Sequence, residues 1–165
     1  YLTIETRAHI PREYRQAMEN RIYGCDDCLA ACPWNKYAVV SSEMAITPKE
    51  ELNAPHLAEL VTLQDAEFRI FFAQTPVKRL GRIRFIRNVL IALGNTKDKS
   101  HMGRIDPLLE DPSPIVRLAA VWAIGQIAEE NEYSRLYEKH YMSETDPAVQ
   151  DEWNLSLKEK QNEPS

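Results

Sequence analysis

Glycine is scarce in this chain, five in 165 residues, and no stretch combines alternating β-branched residues with regular turn signals. Both absences argue against a sandwich or barrel. No apolar run approaches the roughly 18 residues a membrane span needs, and no charged-then-apolar leader opens the chain. A cytoplasmic protein without membrane association is therefore expected. A glycine-rich phosphate loop, a GxSxG elbow and an HExxH helix are all missing, which removes the commonest nucleotide-binding, serine-hydrolase and zinc-protease readings. The histidines His9, His56, His101 and His140 are scattered and read as surface residues. Position 1 is Tyr1 rather than methionine, which reads as a fragment or a processed product.

Cysteine is absent everywhere except in "RIYGCDDCLAACPWNKYA", residues 21 to 38, which holds all three. The arrangement Cys25-x2-Cys28-x3-Cys32-Pro33 is too close and too odd in number for a disulfide framework. Thiolates at this spacing, with the small Ala30 and Ala31 between them, can wrap a metal centre, and soft ligands select zinc or iron–sulfur clusters. Zinc would need a fourth ligand, for which His9 is a candidate. Iron–sulfur matches better, because the last three cysteines of the ferredoxin run C-x2-C-x2-C-x3-C-P have this spacing. The first cysteine of that run falls on Ile22. Where two clusters are bound, the cysteine before proline serves the other one, so Cys25 and Cys28 would hold one cluster and Cys32 a second. Two such clusters take eight ligands and only three are present, so five are expected upstream of Tyr1.

Acidic residues outnumber basic ones, giving a net charge of −5. The segment 77–87, "VKRLGRIRFIR", nevertheless has no acid and carries Lys78, Arg79, Arg82, Arg84 and Arg87, which leaves −10 on the rest. A basic island on an acidic chain points to a local anionic partner, or else to a solvated helix face.

The chain divides into zones. Residues 1–46 form the cysteine zone, with "YLTIE" extended and a helix from Pro11 closed by Gly24. Residues 47–75 read as two connecting helices. One starts at Thr47 and Pro48 with Glu50 completing a capping box, and the other is capped by Thr62 with Asp65. Phe68, Phe71 and Phe72 share a face and read as core. Over residues 76–158, "RNVLIALGN" (87–95) matches "LAAVWAIGQ" (118–126) at an offset of 31, and "DPAVQDEWNLSL" from Asp146 echoes the stretch from Asp111. Helix pairs repeating at this period predict a short α-solenoid, similar to HEAT repeats. Residues 159–165 are expected to be a disordered tail.

"YLTIE", "GCDDCLAACPWN", "TPVKRLGRIRFIRN" and "ALGN", in this order, resemble the C-terminal half of the epoxyqueuosine reductase family. The resemblance runs to about residue 157. It implies a mainly α chain, part of a ferredoxin-like two-cluster region followed by a HEAT-like solenoid. It also implies an oxidoreductase that uses two [4Fe-4S] clusters and cobalamin to reduce epoxyqueuosine to queuosine at the wobble position of tRNA. On that pattern Cys25 and Cys28 ligate one cluster and Cys32 its neighbour, and Asp26, next to Cys25, faces cobalamin. The catalytic acid lies in an upstream cobalamin domain with no counterpart here, so this stretch alone is expected to be inactive. tRNA, that cobalamin domain and an external electron donor are the implied partners, with a monomeric enzyme. Arg7, Lys78, Arg79, Arg82, Arg84 and Arg87 become candidate tRNA contacts, Arg87 being the one most apt to pair with neighbouring helices instead. The alternatives are a zinc-stapled HEAT-like interaction module, and a relative of reductive dehalogenases, which the repeats and the basic island disfavour.

Overall fold

The computed structural model describes residues 1–39, 52 and 54–162. In chain order its helices are α1 (Arg12–Arg15), α2 (Asp27–Ala30), α3 (Leu57–Leu60), α4 (Asp65–Phe71), α5 (Arg82–Thr96), α6 (Met102–Ile105), α7 (Pro114–Ile127), α8 (Glu130–His140) and α9 (Pro147–Asn162). No strand occurs among the described residues. The chain is mainly α. The helix start read at Thr47, Pro48 and Glu50 lies outside the described residues.

The repeat legible in the sequence is a stack of three long helices. α5 packs on α7 and α7 on α9, while α6 with its following 3-10 turn, and then α8, fill the returns. Each helix of the stack begins at a residue suited to it. Asp146 caps α9, its Oδ1 accepting from the amides of Ala148 and Val149 at 2.9 and 3.2 Å. Asp111 opens a turn rather than the helix itself, and α7 starts three residues later with Pro114 in its first turn.

The two glycines paired at the offset of 31 have one job in two places. A Cβ on Gly94 would lie 2.7 Å from the Trp122 ring and 3.0 Å from the Ala123 Cα, so its absence lets α7 close onto α5. A Cβ on Gly125 would lie 2.9 Å from the Ser156 hydroxyl of α9. Val89, Leu90 and Leu93 of α5 and Ala120, Val121 and Ile124 of α7 are buried in one core together with Trp122, Tyr133 and Trp153. Phe68 and Phe72 are buried against Phe85, with ring centroids 5.3 and 4.8 Å from it, as the aromatic stripe predicted. Phe71 packs at the edge of the same core.

Four local expectations are corrected. "YLTIE" is a turn, the Glu5 amide bonding to the Tyr1 carbonyl at 2.8 Å, because its carbonyls face side-chain donors on α5 instead of a partner strand. The helix from Pro11 ends at Met18, after a 3-10 turn, well before Gly24. Its carbonyls at Arg15 and Glu19 are taken by the Asn95 amide at 2.9 Å each, which leaves Glu19 at φ +50°. α4 is capped by Gln64 and Glu67 in a reciprocal box, while the Thr62 hydroxyl turns back to the Glu59 carbonyl at 2.8 Å. α9 runs through Asn162, so residues 159–162 of the expected tail are helical, and Glu159 pairs with Arg12.

That last contact belongs to a clasp joining the N-terminal segment to the end of the stack. Arg15, buried, lies 2.9 Å from the buried Glu152 of α9, and its guanidinium sits 5.7 Å from the centre of the Trp122 ring on α7. Arg12 also pairs with Glu152. Ile10 and Met18 complete the clasp by joining the common core.

Gly94→Ala sets helix propensity against packing. The gain is about 1 kcal/mol, while forcing a methyl into the Trp122 contact costs about 1–3 kcal/mol. The contact should win, and denaturant unfolding should show a net loss of stability with an unchanged slope.

Candidate cluster segment and nucleic-acid interface

The cysteine segment is a surface turn hung on buried anchors. Gly24, at φ +69°, supplies the reversal into Cys25, and its amide donates to the Thr3 hydroxyl at 2.9 Å. Ile22, where the ferredoxin run would place its first cysteine, packs against the core, and its carbonyl accepts from the Asn88 amide at 2.9 Å. Beyond these anchors the chain turns outward. Asp26 adopts the left-handed conformation, α2 carries Cys28, and Cys32 precedes Pro33 at the start of a 3-10 turn. Asn35 folds that turn back, its amide donating to the Leu29 carbonyl at 2.6 Å.

All three thiols are free, with Cys25 and Cys28 exposed and Cys32 half-buried. Among the described residues no three His, Cys, Asp or Glu side chains converge as a single metal ion would require. His9 does not join the cysteines. Asp146, Arg15 and Arg87 are the charges acting on it, and burial, the largest influence, lowers its pKa. The three thiols are soft donors of the kind that zinc and iron–sulfur centres take. The Asp26 carboxylate, beside Cys25, is exposed and makes no side-chain cap to α2.

The structure separates the six basic candidates into two sets. Arg7, Lys78 and Arg79 are exposed, and among the described residues their side chains have no hydrogen bond or ion pair. Arg82 is committed internally, bonding to the Leu63 carbonyl and to Asp111, both at 2.8 Å. Arg84 is fixed by three carbonyls, Leu80 at 2.7 Å, Ile4 at 3.0 Å and Arg79 at 3.2 Å, with no carboxylate partner. Arg87 is 1% exposed and cannot reach an external phosphate, which corrects its placement among the RNA contacts. It does not pair with acids either. It donates to the carbonyls of Thr6, Ala8 and Leu2 at 2.8, 2.6 and 3.2 Å, and to Asn88. Burial, with the nearby Arg84 charge second, pushes its pKa down to about 10.

Arg84, Arg87, Asn88 and Asn95 stand three, four and seven residues apart and so form one polar stripe along an otherwise apolar helix. Sequence reasoning noticed the arginines for their charge and missed the asparagines. Two carboxamides on the apolar face of a repeat helix were the available signal, since a buried amide must find partners.

With this geometry in place, known proteins supply the relatives. Residues 1–35 match a 4Fe-4S double cluster binding domain, and residues 102–130 match a HEAT repeat. Epoxyqueuosine reductase of Escherichia coli is 38% identical over 130 residues, which is 78% of this chain and 34% of that protein. A Geobacillus stearothermophilus protein, described as an uncharacterized protein in the gldA 3′ region, is 34% identical over 149 residues and is covered to 68% of its length. The crystal structure of an epoxyqueuosine reductase with an epoxyqueuosine-modified tRNA-Tyr stem loop superposes with a TM-score of 0.89 over 97% of this chain, at 31% identity. The chain is a homologue of the epoxyqueuosine reductases. It spans about a third of the length of the curated epoxyqueuosine reductases it matches, and 42% of the solved chain.

The N-terminal segment and the repeats form one body through the hydrogen bonds of α5 and the Arg15–Glu152 pair. The double-cluster segment, residues 1–35, is anchored on α5, the first helix of the stack. The two sets of arginines should separate experimentally. Arg87→Ala leaves three carbonyls without their donor and should cost about 3 kcal/mol or more, whereas Arg79→Ala should stay within about 0.5 kcal/mol. Equilibrium unfolding of both variants measures the difference.

Proposed function

We propose that this chain provides the cluster-ligand segment and the RNA-docking repeats of an epoxyqueuosine reductase acting on the wobble nucleotide of tRNA. The carrying observation is the free-thiol turn Cys25-x2-Cys28-x3-Cys32-Pro33, held on α5 by Asn88 and Thr3 in a homologue of these reductases. Cys25 and Cys28 contribute thiolates to one [4Fe-4S] cluster and Cys32 to its neighbour. The clusters, with cobalamin, supply the electrons for removal of the epoxide oxygen as water.

The chain's own residues hold and position. Asn88, Arg87 and Arg84 fix the backbone that leads into the ligands, so the thiols are presented from a rigid base. Asp26 carries an exposed carboxylate next to Cys25, and in this reading it faces the cobalamin domain. Arg7, Lys78 and Arg79 offer unpaired cations to phosphates, giving binding that weakens with salt. The solved relative's stem loop supports RNA as the partner of the repeats. An external reductant, a monomeric state and a cytoplasmic setting complete the reading. No helix among the described residues is long and apolar enough to cross a membrane.

The test exchanges the matching segment of the Escherichia coli relative for this chain. The chimera should bind iron and sulfide anaerobically, show broad visible absorption that bleaches on reduction, and restore queuosine in tRNA. Cys32→Ser should lose iron and activity together. A colourless chimera with one zinc per chain would establish the stapled interaction module instead.

A further inference from the structure

An open cleft of about 820 Å³ lies where the 3-10 turn before α5 meets the start of α7 and the side of α4. Its charges are unevenly compensated. Arg69 is paired with Asp65, and Arg82 with Asp111. Among the described residues Arg7 has no partner and Arg84 is held only by neutral carbonyls, so two lining cations are uncompensated there. Between them lies an apolar floor of Leu80, Ile83 and Ile115. Ile83 is 44% exposed, an unusual position for a large aliphatic residue flanked by two arginines. Ser113 adds a free hydroxyl. It occupies the N-cap position of α7 yet makes no capping bond with its side chain.

We infer that this cleft receives a single unpaired nucleotide of the bound RNA, its base over Ile83 and Ile115 and its phosphate between Arg7 and Arg84. The inference rests on the RNA-docking reading above and adds to it a site that distinguishes looped from paired RNA. A fully paired stem presents only phosphates and sugar edges to such a surface, whereas an unstacked nucleotide can also enter an apolar recess. The fixed Arg84 guanidinium has donors left over after its three carbonyls, and it needs no ordering when a phosphate arrives. The Ser113 hydroxyl is then within the cleft as the group able to bond a base edge or a ribose hydroxyl.

The experiment compares two RNAs of equal phosphate number, a hairpin with an unpaired loop and a blunt duplex, by fluorescence anisotropy on the full chain at low salt. The hairpin should bind more tightly. Ile83→Gln, at a solvent-facing position and without a charge change, should weaken hairpin binding by about tenfold, the worth of one base contact, and leave duplex binding and the melting temperature unchanged. Arg7→Ala should weaken hairpin binding more than duplex binding. Lys78→Ala with Arg79→Ala should weaken both equally. Equal loss for both RNAs in Ile83→Gln, or no loss for either, would overturn the nucleotide site while leaving phosphate docking intact. Absence of binding by either RNA would overturn both readings.

Discussion

The structure depends on a row of side-chain donors along one helix face that satisfy backbone carbonyls belonging to a different segment. Arg84, Arg87, Asn88 and Asn95 take the carbonyls of Ile4, Leu2, Thr6, Ala8, Thr3, Ile22, Arg15 and Glu19. A non-helical, non-strand segment packed on a protein surface ordinarily has no ladder to bond into, and its buried carbonyls would each carry a desolvation cost. The α5 stripe is that ladder, built from side chains. It lets residues 1–24, helical only over 12–18, be irregular elsewhere and still ordered, and it sets the direction in which the cysteine turn leaves the body.

This arrangement explains which parts of the fold were readable from sequence. The 31-residue offset, the paired glycines and the phenylalanine stripe are periodic signals, and periodicity survives in one dimension. Gly94 and Gly125 are each needed for the same close approach, and the repetition makes them visible. The failures are all cases of a long-range acceptor or donor overriding a local preference. "YLTIE" alternates like a strand but turns because α5 offers donors in place of another strand. The first helix has the composition to reach Gly24, but Asn95 removes the carbonyls that would continue it. Gln64, an ordinary residue for a cap, displaced the more favoured Thr62 because Glu67 could answer it.

The basic island shows the same limit at the candidate site. Charge density alone singled out five residues between 77 and 87. Their division of labour was not visible, because it depends on which helix face each occupies. Lys78 and Arg79 sit in the exposed turn before Gly81, Arg82 and Arg84 line the cleft with some of their donors bound to the protein, and Arg87 lies beneath the N-terminal segment. The cysteine segment was more legible as a motif, since ligand chemistry constrains spacing directly, and the match to a 4Fe-4S double cluster binding domain falls on it.

The clasp between Arg15 and Glu152 has a bearing on how such a protein can change over time. Open solenoids usually gain and lose repeats without harm, because each unit touches only its neighbours. Here a strap of N-terminal chain crosses the whole stack, tied to α5 at one end and to α9 at the other. An added repeat would carry Glu152 beyond the reach of Arg15 and leave two buried charges without each other. The strap thus acts as a gauge. It holds the repeat number at a single value.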